Sequence, residues 1–536
     1  MRLKSVLITT AYFCLTIDST AAQDVDARTA LEAAAEAMGL DRISSVEYSG
    51  HGFSSRIGQQ YSVSGGWPTY QVVDYTRQID YETGWSREDY VRQQGDYERF
   101  GRPPLGPEPI TSIVNGEHAW DIRNGEPVAL TRPYLDGTPW DELRQLEIAV
   151  TPHGFLKTAL AADDATAISL PIVGASDFGV SQFGKQVTIV SFTYLDKYKI
   201  NGTISEDNLV ELVGTWIPNP VYGDMDYEMR YTRYASVDGV MFPMLFHTHQ
   251  ADPRLNPAHN YYEYQITNVV INPEVETLSV PATIRAAVAP DPIVESEELA
   301  EGIWRLAGGS HHSLLIEFRN FLAVVEAPQN EARSLAVLEE ANRLVPEKHV
   351  QYVVNTHHHF DHAGGLRTYL SQGTTIVTHE SNKDYYLDIL FHPAPRTLQP
   401  DRMSQFNPMY WISRRPAPIE TVSGEARGTG RYAITDGEQI LEVFHVQDMY
   451  YELGDRSMRY GHHSEDMLMV WLPRAGILVN ADLFSPRGGV PSQASLGMVT
   501  LNENIKKLRL DVDRHVPIHG EIIQHEDFLE VVERGL

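Results

Sequence analysis

The sequence predicts a multidomain α+β protein, with an antiparallel β-rich N-terminal half and a C-terminal half in which strands alternate with helices. The chain has 536 residues, enough for two or three domains, and 42% of them are hydrophobic. Apolar residues follow a period of two up to about residue 280, whereas short apolar runs alternate with helical patterns later in the chain. We therefore predict a β-rich domain over 23–280, a linker over 281–294 and a second domain over 295–536.

The balance of charge excludes several classes of partner. The chain has 72 acidic and 43 basic residues, so its formal net charge is −29. A surface this negative repels phosphate backbones and anionic lipid headgroups, and the sequence has no run of Lys and Arg to offset it. No segment approaches the ~18 consecutive apolar residues of a transmembrane helix. We expect a small-molecule substrate, no nucleic acid and no stable membrane insertion; the sequence carries no signal for an oligomeric state.

Residues 1–22 are typical of a secretory signal peptide. A basic start precedes an apolar run and small residues at the cleavage site: Arg2, Lys4, Val6–Ile17 and Thr20–Ala22. We therefore expect a periplasmic or secreted protein. Cys14 is the only cysteine, and the bulky Phe13 before it disfavours a lipid anchor. The mature chain would lack disulfides and thiolate ligands, so a metal ion would have to be bound by His, Asp or Glu.

The β-rich domain is predicted to open with one amphipathic helix over 26–39, which ends at Gly39. Alternation over 225–232 predicts a strand, and Asn201-Gly202 and Asp238-Gly239 are predicted hairpin turns. Aromatic residues are concentrated early in this domain: Tyr61, Trp67, Tyr70, Tyr75, Tyr81, Trp85, Tyr90 and Tyr97. They either fill the faces of strands, which is the commoner use of such residues, or line a groove for an apolar or carbohydrate-like ligand.

The second domain is predicted to contain strands at 350–354, 467–472 and 477–479, and a helix over 335–345. The stretch 391–431 has neither pattern and is rich in Pro and Arg. A long irregular insertion in a compact domain is often a lid or a binding loop. The residues that we expect to select the substrate lie in or near it: Phe406, Met409, Tyr410, Trp411 and Arg487.

One loop carries the residues with the most chemistry. The predicted strand 350–354 is followed by Asn355-Thr356-His357-His358-His359-Phe360-Asp361-His362. In an extended loop, His357 and His359 project to the same side and can share a metal ion, while Asp361 and His362 can face a second ion. Buried imidazoles and a carboxylate would be costly there without a cation. The loop therefore predicts a two-metal site, with a set of surface histidines as the alternative.

This Thr-His-x-His-x-Asp-His loop at the end of a strand resembles the signature loop of the metallo-β-lactamase-fold hydrolases. The resemblance covers about residues 295–536 and implies an αββα sandwich that binds zinc, here two ions, with three further ligands downstream. The third histidine of the family precedes Ser or Thr and a strand, which matches His463, with His462 as the alternative. The bridging aspartate matches Asp482, and the last histidine matches His519.

Two features depart from the family pattern. Glu326 stands where an aspartate is more usual, so we expect it to alter the support behind the metal ligands. An insertion over 448–460 precedes the third histidine.

The resemblance implies a binuclear zinc hydrolase in which a metal-bridging hydroxide attacks an ester, lactone, amide or related bond. Asp361 would bind metal and orient the hydroxide, which makes it the expected catalytic residue. Two alternatives stay open: an iron-dependent oxidoreductase on the same fold, and a non-catalytic protein that binds an apolar ligand and has a structural metal site.

Several other features are weighed against plainer explanations. We expect His247 and His249 to lie on an exposed strand face, whereas His311 and His312 either contact substrate or are satisfied locally. The N-terminal half is similar to the half-barrels of outer-membrane lipoprotein carriers, on the evidence of its helix, long strands and the turn at 220–224. That resemblance implies a concave sheet that accepts an apolar ligand or packs on the catalytic domain.

Overall fold

The structure is a computed structural model that describes residues 22–95, 106–171, 185–251, 260–275, 277–390, 396–406, 418–423, 430–447, 449–453, 456–460 and 463–534. Several residues singled out in the sequence lie outside these ranges: the leader up to Ala21 with Cys14, and also Tyr97, Met409, Tyr410, Trp411 and His462. No helix of the described part is both long and apolar enough to cross a membrane.

The α-helices are α1 (Ala27–Met38), α2 (Trp140–Ala149), α3 (Pro152–Ala161), α4 (Ala282–Arg285), α5 (Glu331–Leu344), α6 (Phe360–Ala363), α7 (Leu366–Ser371), α8 (Asn382–Leu390), α9 (Arg402–Phe406), α10 (Leu496–Leu508) and α11 (His525–Arg534). The predicted first helix is confirmed as α1. Its N-cap is Asp26, whose side chain accepts a hydrogen bond from the Thr29 amide, and it ends at Gly39, which adopts the left-handed conformation with φ 68°.

Most of the N-terminal half is one antiparallel sheet, as the alternation predicts. Its strands are β1 (Gln23–Val25), β2 (Ser45–Ser55), β3 (Thr69–Asp80), β4 (Trp85–Gln94), β5 (Glu108–Asn115), β6 (His118–Arg123), β7 (Glu126–Ala129), β8 (Thr166–Pro171), β9 (Gln186–Tyr194), β10 (Tyr198–Ile204), β11 (Val210–Asn219), β12 (Gly223–Val237), β13 (Val240–Ala251) and β14 (Asn260–Ile271). Within the described residues they pair in the order β1-β8-β9-β10-β11-β12-β13-β14-β2-β3-β4-β5-β6-β7.

The two predicted turns have different outcomes. Asp238 and Gly239 do form the turn between β12 and β13, with φ of 50° and 82°. The prediction for Asn201-Gly202 is wrong, because both residues lie inside β10 and the turn is made earlier by Leu195 and Asp196. Gly202 is needed for packing instead, since a Cβ there would lie 2.1 Å from the ring of Phe155.

The early aromatic residues fill the sheet, which favours the plainer of the two explanations. Trp67, Tyr70, Tyr75 and Trp85 are all buried. Tyr75 stacks on Tyr264 across the sheet, with ring centroids 4.2 Å apart. Helices α1, α2 and α3 pack on the same apolar cluster, so this face of the sheet is a core.

The C-terminal half contains two sheets that face each other. The first is formed by β15 (Glu295–Ala300), β16 (Ile303–Ala307), β17 (Ser313–Glu317), β18 (Leu322–Val325), β19 (Val350–Val354), β20 (Thr375–His379) and β21 (Ile419–Val422). The second is formed by β22 (Arg431–Thr435), β23 (Ile440–His445), β26 (Leu468–Leu472), β27 (Ile477–Asn480), β28 (Arg514–Pro517) and β29 (Ile523–Gln524), with β24 (Met449–Leu453) and β25 (Arg456–Tyr460) as a separate hairpin.

Alternation along β17 shows how the layers are built. Leu314 and Ile316 join the core shared with the second sheet, whereas Leu315 faces the cluster that contains residues of α5 and α7. On the far side, α10 and α11 contribute to the core of the second sheet. The order helix, sheet, sheet, helix is the predicted αββα sandwich.

Two predictions about irregular segments need correction. The predicted linker contains the short helix α4, whose Ile284 is buried against Ile113 and Trp120. The segment 391–431 is not wholly irregular, because α9 and β21 lie in its described parts and β21 extends the first sheet beside β20. Both segments contain apolar side chains, but neighbouring Pro and Arg residues obscured the helical and strand patterns in the sequence.

Candidate metal centre

The predicted ligands lie at neighbouring ends of strands. The loop 355–362 follows β19, Asp482 follows β27, and His519 follows β28, while His463 lies a few residues before β26. Strands β27 and β28 are parallel neighbours, so the residues that follow them emerge at one edge of the sandwich. The fold thus brings together residues that are 162 positions apart in the chain (357 to 519).

A first cluster consists of His357, His359 and His463. The Nε2 atom of His357 lies 3.1 Å from Nδ1 of His359, and Nε2 of His463 lies 2.7 Å from the same atom. His357 and His359 are buried. Burial, together with the charge of His362, lowers the pKa of His357 well below its ordinary value, and burial beside His463 does the same for His359. These imidazoles are therefore neutral at pH 7, as metal ligands must be.

A second cluster, which contains His362 and His519, lies beside the first, and Asp482 lies between the two. Nε2 of His519 lies 3.2 Å from Nε2 of His362 and 3.0 Å from Oδ1 of Asp482. The other carboxylate oxygen, Oδ2, lies 3.0 Å from Nε2 of His463 in the first cluster. Asp482 therefore occupies the position between the clusters that the resemblance implies for it.

The neighbouring carboxylates make this second cluster attractive to a cation. Burial alone would lower the pKa of His362, but the charges of Asp482, Glu326 and Asp361 outweigh it and raise that pKa well above the ordinary value. For Asp482, burial would raise the pKa, and the facing His463 and His362 instead hold it well below its usual range. The site thus favours positive charge between these groups.

Three of the predicted ligand imidazoles are oriented through the ring nitrogen that points away from the shared space. Nδ1–H of His519 donates to the Ser310 carbonyl at 2.6 Å, and Nδ1–H of His362 donates to the Glu326 carboxylate at 3.0 Å. Nε2–H of His359 donates to the Gln60 carbonyl at 2.9 Å. One nitrogen of each of these rings is thus held by the protein, and the other faces the shared space.

Glu326 supports the loop at two points, in line with the expectation that it acts behind the ligands. The Thr356 hydroxyl donates to its Oε2 at 2.5 Å, and the oxygen of that hydroxyl accepts from Nδ1–H of His357 at 3.1 Å. Glu326 is fully buried and has a φ of 79°, which is unusual for a residue with a side chain. Such strain persists where the surrounding contacts hold it, and it is concentrated at functional sites.

Asp361 is placed differently from the other predicted ligands. It belongs to none of the three-residue clusters found among the described residues, whereas the other six predicted ligands do. Its Oδ2 lies 3.3 Å from Nε2 of His311, and its Oδ1 accepts a hydrogen bond from the Gln59 amide at 2.8 Å. A quarter of its side chain is exposed, so it is the predicted ligand that faces the solvent most openly.

Three residues at the centre were missed or undervalued from the sequence. His311 is buried and forms a possible metal-binding cluster with His362 and His519; its position before β17 was the only signal for it. Gln59 and Gln60 had no signal at all. His312, by contrast, is satisfied by the backbone of Gly308 and Gly520.

The remaining histidines have other partners. His358, in the middle of the loop, turns away and pairs with Asp466 at 2.9 Å. His379 bonds Ser381, and His515 faces His525. The expectation of an exposed face is wrong for His247, which is only 8% exposed because cross-strand neighbours cover it.

The matches to known proteins lie in the C-terminal half. A family model described as "Metallo-beta-lactamase superfamily" matches residues 306–517. The comparison with curated proteins gives no match. Similar solved structures include a metallo-beta-lactamase from Pontibacter korlensis, with 14% identity, a TM-score of 0.31, and coverage of 45% of this chain and 97% of that one.

Two other solved structures give comparable values. The mono-zinc form of FIM-1 from Pseudomonas aeruginosa has 16% identity and a TM-score of 0.30, and covers 46% of this chain and 96% of its own. A metallo-beta-lactamase from Hirschia baltica has 18% identity and a TM-score of 0.31, and covers 44% and 95%. Together with the two facing sheets and the loop after β19, the family match over residues 306–517 supports a metallo-β-lactamase-fold domain in the C-terminal half of this chain.

Proposed function

We propose that this protein is an exported hydrolase that binds two zinc ions and cleaves an ester, lactone, amide or related bond of a small molecule. One observation carries the proposal. Three imidazoles, those of His357, His359 and His519, use one nitrogen for a protein partner and turn the other towards the same space, which Nε2 of His362 also faces. Lone pairs that face each other at about 3 Å repel unless a cation lies between them.

The donors of the two clusters fit two ions of this kind. His357, His359 and His463 would bind the first ion, and His362, His519 and Asp361 would bind the second, with Asp482 shared between them. Imidazole and carboxylate are ligands that zinc accepts in catalytic sites. A structural zinc site is usually closed by four protein ligands, whereas this centre offers seven for two ions, which supports a site that is open to a substrate.

When bound, a pair of divalent ions lowers the pKa of a water molecule to near neutrality and polarises the oxygen of the substrate. The protein's own residues hold the site in shape around this chemistry. Asp361, with its partly exposed carboxylate, is placed to orient the attacking water and accept its proton. Glu326 and the Gln60 carbonyl keep the ligand rings from turning.

The proposal is tested on protein purified without added metal. Metal analysis should find zinc, and a panel of lactones, esters, β-lactams and phosphodiesters should reveal hydrolysis by the zinc-loaded enzyme. Stoichiometric iron with little zinc would instead support the oxidoreductase alternative. Unchanged hydrolysis after removal of His357 and His359 would support a binding protein with a structural metal.

Export is proposed on the sequence of the leader alone. We expect the mature protein to begin close to Gln23, after the small residues that end at Ala22. N-terminal sequencing of protein recovered from the periplasm or medium tests this. Recovery of the intact chain in the cytoplasm would contradict it.

A further inference from the structure

The segment between β2 and β3 reaches from the N-terminal sheet to the metal centre. We call residues 57–61 the strap. Four consecutive strap residues each make a hydrogen bond to the C-terminal half: the Gly58 carbonyl accepts from the Phe360 amide at 3.2 Å, the Gln59 amide donates to Asp361 at 2.8 Å, the Gln60 carbonyl accepts from His359 at 2.9 Å, and the Tyr61 carbonyl accepts from the Glu465 amide at 2.9 Å.

The strap packs closely against the loop 355–362. Ile57 and Gln60 are 3% and 1% exposed. Gly58 has a φ of 71°, and a Cβ at this position would lie 2.3 Å from the ring of Phe360. The same ring packs edge-on against Tyr222, in the turn between β11 and β12, with centroids 5.2 Å apart. The N-terminal half therefore encloses Phe360, which lies between two proposed ligands.

The backbone of the strap determines which nitrogen of His359 carries the proton. A carbonyl oxygen can only accept, so Nε2 of His359 must be the protonated nitrogen when it bonds to Gln60. Nδ1 then presents its lone pair to His357 and His463. If this contact were lost, the ring could turn or change tautomer, and its proton would face the first metal position.

The side chain of Gln59, in the strap, orients Asp361. The Gln59 amide occupies Oδ1, which leaves Oδ2 directed to the side of His311 and the second cluster. A ligating carboxylate whose second oxygen is hydrogen-bonded has a fixed orientation and loses less freedom when the metal binds. In an isolated catalytic domain, Oδ1 of Asp361 would accept a hydrogen bond from water instead, and water does not fix the orientation of the carboxylate.

We propose that the strap is a positioning element of the metal centre, in which Gln59 orients Asp361 and the Gln60 carbonyl fixes the tautomer of His359. The centre is thus completed by both halves of the chain. The inference rests on the proposed function, because it requires that His359 and Asp361 bind metal. Hydrogen-bond partners behind metal ligands typically change metal affinity or activity by about 10- to 100-fold, and we expect an effect of that size here.

The test is Gln59→Met in the full chain, because methionine keeps the approximate length and volume of the side chain and removes the amide that donates to Asp361. Zinc affinity is measured by competition with a chromophoric chelator, and the visible spectrum of the Co²⁺-loaded protein reports the ligand geometry. We expect weaker binding of at least one zinc ion by about 10-fold or more and an altered Co²⁺ spectrum. Gln93→Met is the matched control, since Gln93 lies on β4 and its side chain donates to Gln71 and not to the metal centre. We expect wild-type values for it.

A second variant, Gln59→Glu, keeps the polarity and length and places an acceptor against Oδ1 of Asp361. We expect Gln59→Glu to weaken zinc binding more than Gln59→Met does. The comparison uses samples whose unfolding midpoints without metal match that of the wild type. Equal zinc affinity and equal Co²⁺ spectra in the wild type and both variants would overturn the inference and leave the proposed function intact. A wild-type protein that binds no zinc or other divalent ion would overturn the proposed function itself.

Discussion

Each half of the molecule contains a His-x-His pair whose rings face each other, and the two pairs lie in different surroundings. In the N-terminal sheet, Nε2 of His247 lies 2.7 Å from Nε2 of His249, and their Nδ1 atoms lie 3.2 Å from Glu263 and Glu228. In the C-terminal half, His357 and His359 face each other at 3.1 Å. The spacing in the sequence is the same, so spacing alone does not make a metal centre.

The difference comes from what else the fold brings to each pair. The N-terminal pair has cross-strand neighbours on β12 and β14, because strand register fixes which side chains lie beside it. The C-terminal pair lies at an edge where several strands end, so that His463 joins it and Asp482 links it to a second cluster. Convergence of strand ends therefore distinguishes the proposed metal centre from an ordinary polar face.

The largest expected effect comes from replacing each of the two histidine pairs with alanine. We expect His357→Ala with His359→Ala to abolish binding of the first ion and to lower hydrolysis by about 10³-fold or more, because the activated water is lost. Metal analysis and the rate on the best substrate measure this. His247→Ala with His249→Ala is the matched control and should retain metal and activity. Equal losses in both double variants would show that the two pairs do not differ.

A smaller effect is expected from Glu326→Gln. The carboxylate accepts from both Thr356 and His362, and an amide offers one oxygen and a donor group in its place. Zinc affinity should fall by about 10- to 100-fold, as measured by chelator competition. Glu317→Gln is a suitable control, since Glu317 pairs with Lys348 away from the centre. Unchanged affinity in Glu326→Gln would mean that the strained residue supports folding only.

A separate effect concerns the pH dependence of the stability of the N-terminal half. Burial, slightly opposed by backbone contacts, lowers the pKa of His153 to about 4 in the folded protein, against about 6.5 when unfolded. The unfolded chain thus binds a proton first as the pH falls, so stability is complete above pH ~6.5 and declines towards pH ~4 by roughly 3 kcal/mol. The imidazole stacks on Phe242, and His153→Phe should retain packing and lose this dependence.

Urea unfolding at pH 7 and pH 4.5 measures the effect of His153→Phe. The difference in unfolding free energy between the two pH values should be smaller in the variant than in the wild type. His51→Phe, on the exposed part of β2, serves as the control and should leave that difference unchanged. An unchanged difference in His153→Phe would mean that His153 does not contribute to the acid sensitivity.

Local patterns predicted the parts of the protein that depend on neighbours in sequence. Alternation predicted β12, helical spacing that ends at Gly39 predicted α1, and the loop after β19 indicated where a metal would bind. The position of Asp482 and His519 after strands also followed from the resemblance, because the fold places strand ends together. Glu326 was expected to act behind the ligands, and it does contact them.

Contacts between distant segments could not be predicted in this way. Gln59 lies 302 residues before Asp361. Nothing in the sequence around Gln59 distinguishes it from other polar loop residues. Asn201-Gly202 carries a turn signal, but the glycine is present to admit the ring of Phe155. In both cases the reason for the residue lies in another element that packs against it.

The most direct test of the central claim is the metal content of the full chain, purified without added metal and then equilibrated with zinc. We expect two zinc ions per chain in the wild type, and loss of the first ion when His357 and His359 are replaced by alanine. A wild type that binds no divalent ion, or a double alanine variant that still binds two, would contradict the proposed metal centre.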